Sequence, residues 1–135
     1  MFRKFAFIAA LAASGSVWAQ ATVEEATKAG AVKMTKEDLQ ALHAGGVTMS
    51  GSLTSGTAYS QQNKPYGTVS GTAGGRFTLT GTWRIDDAGR YCHDVAASGG
   101  LAFNNCSVMW KLGDRYLFSS NETPSSTVRE RKFTK

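Results

Sequence analysis

The chain has 135 residues, two cysteines and a formal net charge of +5. This length suits one folded domain and is short for two. Much of the positive charge sits at the two ends: Arg3 and Lys4 open the chain, and Arg129, Arg131, Lys132 and Lys135 face only Glu130 at its close. That distribution gives no basic folded face with aromatic platforms, so nucleic acid is not expected as a partner.

Residues 1–19 read as a secretory signal. Arg3 and Lys4 form a basic start, residues 5–17 an apolar run, and Val17-Trp18-Ala19 a small-x-small cut, with Ala19-Gln20-Ala21 as an alternative. The run is shorter than the roughly 20 apolar residues of a membrane span. No integral membrane span is therefore expected after cleavage, and the expected location is the periplasm or the medium. Removal of residues 1–19 leaves 116 of the 135 residues and takes the net charge from +5 to +3.

In an oxidising compartment an even cysteine count reads as a disulfide, here between Cys92 and Cys106. It closes a loop of 15 residues, worth about 3 kcal/mol in the chain-entropy model. His43 and His93 have no metal-ligand partner three or four residues away, so neither a metal nor another cofactor is expected.

Residues 20–34 show little periodicity and read as a flexible lead. Next, Thr35 is placed to cap a short helix, with Glu37 and Asp38 in its first turn, Leu39 and Leu42 as its apolar stripe and Gly45-Gly46 as its stop. From there glycine, serine, threonine and aromatic residues dominate, and turn signals recur about every ten residues. Strands are expected over 47–53 and 57–60, followed by a polar loop over 61–65 that ends at Pro65, and then over 66–71.

The clearest strand follows. Phe77, Leu79, Gly81, Trp83 and Ile85 alternate with Arg76, Thr78, Thr80, Thr82 and Arg84, the period of two of a half-buried strand. Asp86-Asp87-Ala88-Gly89 predicts a turn, and residues 90–95 the returning strand. A three-residue loop pairs Trp83 with His93 and Arg84 with Cys92, whereas a four-residue loop sets Trp83 against Cys92. The two registers exchange the faces of the strand, and Gly89 favours the first. Residues 106–112 and 115–119 form a further hairpin around Gly113-Asp114. Residues 126–133 are expected as an edge strand charged on both faces, or as a tail.

The expected fold is thus mainly β: a strongly bent antiparallel sheet or small barrel of six to eight short strands with one short N-terminal helix, a single domain over 35–133. Trp83 and Trp110 belong to apolar faces and read first as core. His93 has no nucleophile at a recognisable spacing, and Asp86 and Asp87 are explained by their turn. No catalytic set is present, which predicts a non-enzymatic binding or interaction module. Its contact region is placed at Trp83, Arg84, Tyr91 and His93, and its partner is an unknown small molecule or an exported protein. The alternative is an inhibitor or protective protein docking on an exported enzyme, and a third reading is a small periplasmic hydrolase.

Gly81-Thr82-Trp83 resembles the Gly-x-Trp that opens the first strand of lipocalins and avidins, although only 52 residues follow Trp83 here. The wider pattern adds Gly89-Arg90-Tyr91-Cys92, then Cys106 with Trp110-Lys111 and Gly113-Asp114-Arg115-Tyr116. It resembles small exported proteobacterial proteins grouped as a domain of unknown function. That resemblance spans about residues 35–120 and implies an exported, disulfide-bonded β-rich domain with no assigned activity.

Overall fold

The computed structural model describes residues 21–53 and 55–135; the expected signal peptide lies outside the described residues. In chain order the elements are α1 (Val23–Lys28), β1 (Val32–Lys33), α2 (Lys36–His43), β2 (Val47–Ser52), β3 (Ala58–Asn63) and β4 (Thr68–Ala73). There follow β5 (Phe77–Ile85), β6 (Tyr91–Ala97), β7 (Leu101–Leu112), β8 (Arg115–Ser119) and β9 (Arg129–Thr134).

Eight antiparallel strands close into a barrel in the order β7-β6-β5-β4-β3-β2-β9-β8, with β8 returning to β7. The ninth, β1, pairs with Lys111 and Trp110 of β7 beyond the end of β6. Consecutive strands from β2 to β8 are joined as neighbours, the arrangement that short turns and period-two strands favour.

The register at the central hairpin is the three-residue one. Trp83 pairs with His93, Arg84 with Cys92 and Ile85 with Tyr91, and the Asp86 N–H donates to the Arg90 carbonyl at 3.0 Å. Gly89 takes φ +76°, the left-handed conformation that closes such a loop. Cys92 and Cys106 are direct cross-strand partners, bonded with S–S 2.03 Å.

Three expectations change. Residues 61–63 belong to β3 rather than to a loop, because the polar side chains of Gln61 and Asn63 point inward and find hydrogen-bond partners there. Strand β9 is not an edge: it pairs with β2 on one side and β8 on the other and closes the barrel. The expected flexible lead carries α1 and β1. Thr22 caps α1 by accepting from the Glu25 N–H, and Val23 and Ala26 are buried. These pack with Ala31, Trp110, Leu117 and Val128 in an apolar cluster on the outer face of β7 and β8. A six-residue helix with alanine on its buried face has too few apolar positions to register as periodic.

A second cluster fills one end of the barrel. Leu39 of α2 packs with Met34, Met49, Tyr91 and Met109, and helix and plug are held in place by a capping box at Thr35. Asp38 N–H donates to Thr35 Oγ1 at 3.1 Å, and Thr35 N–H donates to Asp38 Oδ2 at 3.0 Å. The third cluster, Val69, Ala73, Leu79, Val95 and Ala97, lines the other half of the interior. Strand β7 serves two neighbours in turn, pairing with β6 over 101–107 and with β8 over 108–112.

Candidate functional site

Alternation decides which side chains enter the barrel. On β6 these are Tyr91, His93, Val95 and Ala97; on β3, Tyr59, Gln61 and Asn63; on β9, Arg129, Arg131 and Phe133, set by the pairing of Phe133 with inward-facing Met49. At the plugged end the polar groups among them form a satisfied network. Tyr91 is 1% exposed, and its hydroxyl accepts from Gln61 Nε2 at 3.2 Å and Asn63 Nδ2 at 3.0 Å. Gln61 Nε2 also donates to Asn63 Oδ1. The second Asn63 amide hydrogen faces His43 Nε2 at 3.4 Å, while His43 Nδ1 lies 2.8 Å from the Leu39 carbonyl.

These contacts assign a proton to His43 Nδ1 and none to its Nε2. With two N–H groups already donating to the Tyr91 oxygen, its own hydrogen points to His93 Nδ1, 3.4 Å away. Both histidines are therefore neutral. Burial and, secondarily, the Arg131 cation push His93 down to about 4, and burial lowers His43 as well. The Tyr91 hydroxyl is pushed up to about 12, chiefly by burial.

The other end is unfilled. A cavity of about 760 Å³ lies between Tyr59, Leu79, His93, Val95, Phe103 and Arg131. Its mouth is edged by Leu53 and Ser55 from the β2–β3 turn and by Asn121 and Ser126 from the β8–β9 connection. Residues 101–107 of β7 pair with β6 but not with β8, whose ladder begins at Val108, so the wall is unpaired on that side.

Arg131 is the group in this cavity whose needs are not met. It is 5% exposed, and its guanidinium lies 3.6 Å over the Phe118 ring and 5.6 Å from the Tyr91 ring. Aromatic faces attract a cation but accept no conventional hydrogen bond from it. Among the described residues, Arg131 Nε and Nη1 are the buried side-chain polar atoms without a partner. Glu130, next to it in sequence, faces outward and pairs with Arg115 at 2.7 Å.

Of the residues placed in the contact region by sequence, His93 lines the cavity and Tyr91 lies just beneath it. Trp83 faces inward at the plugged end, stacks on His43 with ring centroids 4.6 Å apart and donates Nε1–H to the Lys64 carbonyl at 2.8 Å. Arg84 is exposed on the outer face opposite Cys92. Arg129 and Arg131 were not singled out. The signal that finds them is their alternation with Glu130 and Lys132 in phase with Phe133, an apolar residue that needs the interior.

One cluster resembles a metal site in composition: Asp86, Cys92 and Cys106 bring ligand-type atoms within 4.8 Å. Both sulfurs are bonded to one another, and the Asp86 carboxylate accepts from Arg90 N–H and Nε, each at 2.8 Å. It is a turn lock beside a disulfide. No helix among the described residues is long and apolar enough to cross a membrane.

The neutral state of His93 carries a pH consequence. The unfolded chain takes up a proton near 6.5 and the folded chain only near 4, so the unfolded state binds more protons between these values. The His93 contribution to stability is then full above pH 6.5, falls as the pH drops through this window, and levels off below about 4. The contribution of this residue is roughly 3 kcal/mol. Urea titrations across the window are expected to show a steeper acid loss in the native protein than in His93→Gln, with His43 and, toward the acid end, Asp38, Asp86 and Glu130 supplying the slope that remains.

The chain matches no known protein-family model, no curated protein and no solved structure at a significant level.

Proposed function

We propose that this is an exported, non-enzymatic binding protein that holds one small molecule inside its barrel. The observation that carries this reading is the cavity of about 760 Å³ at the unplugged end, within the range of roughly 300–1,000 Å³ that small-molecule sites occupy. An eight-stranded barrel has an interior that side chains can fill or that can admit one small ligand. Here α2 and the Tyr91 network fill one half, and the other half is left to a ligand. Apolar walls at Leu79, Val95 and Phe103 and polar groups at His93 and Arg131 give the mixed lining that orients a bound molecule.

The chemistry of the lining supports binding rather than turnover. The polar side chain bonded to His93 is the Tyr91 phenol, whose hydroxyl is held protonated by burial. A nucleophile activated by an adjacent base must give up its proton to that base, and the phenol bonded to His93 keeps its own.

The test is a titration with two fluorescent dyes of one shape, neutral phenylnaphthylamine and anionic anilinonaphthalene sulfonate. The expected result is saturable binding of one dye per chain, lost in Asn105→Trp. Position 105 is an exposed part of the cavity wall, so the indole blocks the space without removing a buried group. Retention of the unfolding midpoint shows the variant is folded. Saturable binding of neither dye, or equal binding by folded Asn105→Trp, overturns the reading.

A further inference from the structure

We infer that the molecule held in the barrel is an amphipathic organic acid whose acid group sits on Arg131 and whose apolar body points to the mouth. This rests on the reading of the cavity as a ligand site and adds the chemical class of the ligand.

The barrel interior holds two contrasting sets of buried polar groups. Gln61, Asn63, Tyr91 and His43 satisfy one another, whereas Arg131, on the inward face of β9, leaves Nε and Nη1 without acceptors. A guanidinium stays protonated in a protein. A buried charge without a partner is strongly unfavourable, and native chains carry one where something else supplies the counter-charge.

The chain itself supplies none at this place. The lining contains two cations, Arg129 and Arg131, and no aspartate or glutamate. The nearest acid in sequence, Glu130, is turned to the opposite face and engaged by Arg115. His93, the histidine at the cavity, is neutral and adds no negative charge. What completes the site is an oxyanion able to accept from the guanidinium, with Phe118 holding the guanidinium plane from beneath.

The walls say what the rest of the molecule is. From Arg131 toward the mouth the cavity passes Val95, Phe103, Leu79 and Leu101, a surface that an inorganic anion would leave in contact with water. A carboxylate or sulfonate on an apolar body covers both regions at once, with its acid group innermost. The surrounding low dielectric strengthens the charged contact, and a neutral ligand of the same shape would leave the guanidinium unpaired.

The dye pair distinguishes the two layers of the argument, because the dyes differ by one sulfonate. In the native protein the anionic dye is expected to bind about tenfold or more tightly than the neutral one. In Arg131→Met the preference is expected to fall to about twofold or less, with the neutral dye bound at least as well as before. Without ligand, Arg131→Met should unfold at the same or a higher temperature than the native protein, since an uncompensated charge has been removed. A purely structural role for Arg131 predicts the opposite. Decanoate should displace the anionic dye from the native protein where decanol at the same concentration does not, which extends the result to carboxylates.

Equal affinity for both dyes in the native protein overturns the acid-ligand inference and leaves the cavity reading standing. Absence of binding by either dye overturns both. The comparison within the native protein stands even if Arg131→Met does not fold.

Discussion

Gly81→Ala is expected to destabilise the protein by about 3 kcal/mol or more. A Cβ built at Gly81 would overlap the Asp94 carbonyl oxygen and come within 2.8 Å of Val95 Cα. Both are backbone atoms of the neighbouring strand, so no rotamer change relieves the contact. The ladder between β5 and β6 would have to open, at the centre of the hairpin that pairs Gly81 with Val95 and Trp83 with His93. Overpacking of this kind costs about 1–3 kcal/mol where neighbours can shift and more where backbone must move. Thr82→Ala, one residue further on the exposed face, should stay within about 0.5 kcal/mol of the native value. Urea unfolding of the two variants checks the claim; equal midpoints would mean that β5 does not approach β6 this closely.

Leu39→Ala is expected to cost about 2–5 kcal/mol. Leu39 is 0% exposed and is the fully buried apolar side chain of α2, packed with Met34, Met49, Tyr91 and Met109. An eight-residue helix has little stability of its own, so loss of this contact releases the plug as well as leaving a void. His43, on the same helix, is then no longer held against Asn63 and Trp83. Leu39→Met conserves volume and should cost less than about 1.5 kcal/mol. Denaturant titration separates the two, and a loss in Leu39→Ala below about 1 kcal/mol would show that α2 is not what closes this end.

Much of the barrel can be read from the chain, and the reasons are local. The period-two run from Phe77 to Ile85, the Asp-Asp-Ala-Gly turn and the cysteine pair each constrain neighbouring residues, and together they set the register at Trp83. The capping box at Thr35 is equally local. The Gly-x-Trp also acquires a physical meaning: Gly81 permits the close approach of β6, and Trp83 packs on the plug.

The candidate site is legible only in part because it depends on closure. Gln61 and Asn63 look like loop residues until Tyr91, some thirty positions away, is brought across the barrel to their amides. Arg129 and Arg131 look like a charged edge until β2 and β8 flank β9 and turn one face of it inward. A polar residue in a strand reads as solvent-facing unless its partner is known, and these partners are distant in sequence. Trp83 and Arg84 lie apart from the cavity, Trp83 packed on the plug and Arg84 exposed on the outer face.

Amide and side-chain NMR shifts can map where anilinonaphthalene sulfonate binds on the protein. Saturating shifts are expected to concentrate at His93, Val95, Phe103 and the Arg131 guanidinium, with Ala26, Trp110 and Val128 of the outer cluster unmoved. Shifts confined to the outer cluster or scattered over the surface, with Val95 and Arg131 unchanged, would contradict binding inside the barrel.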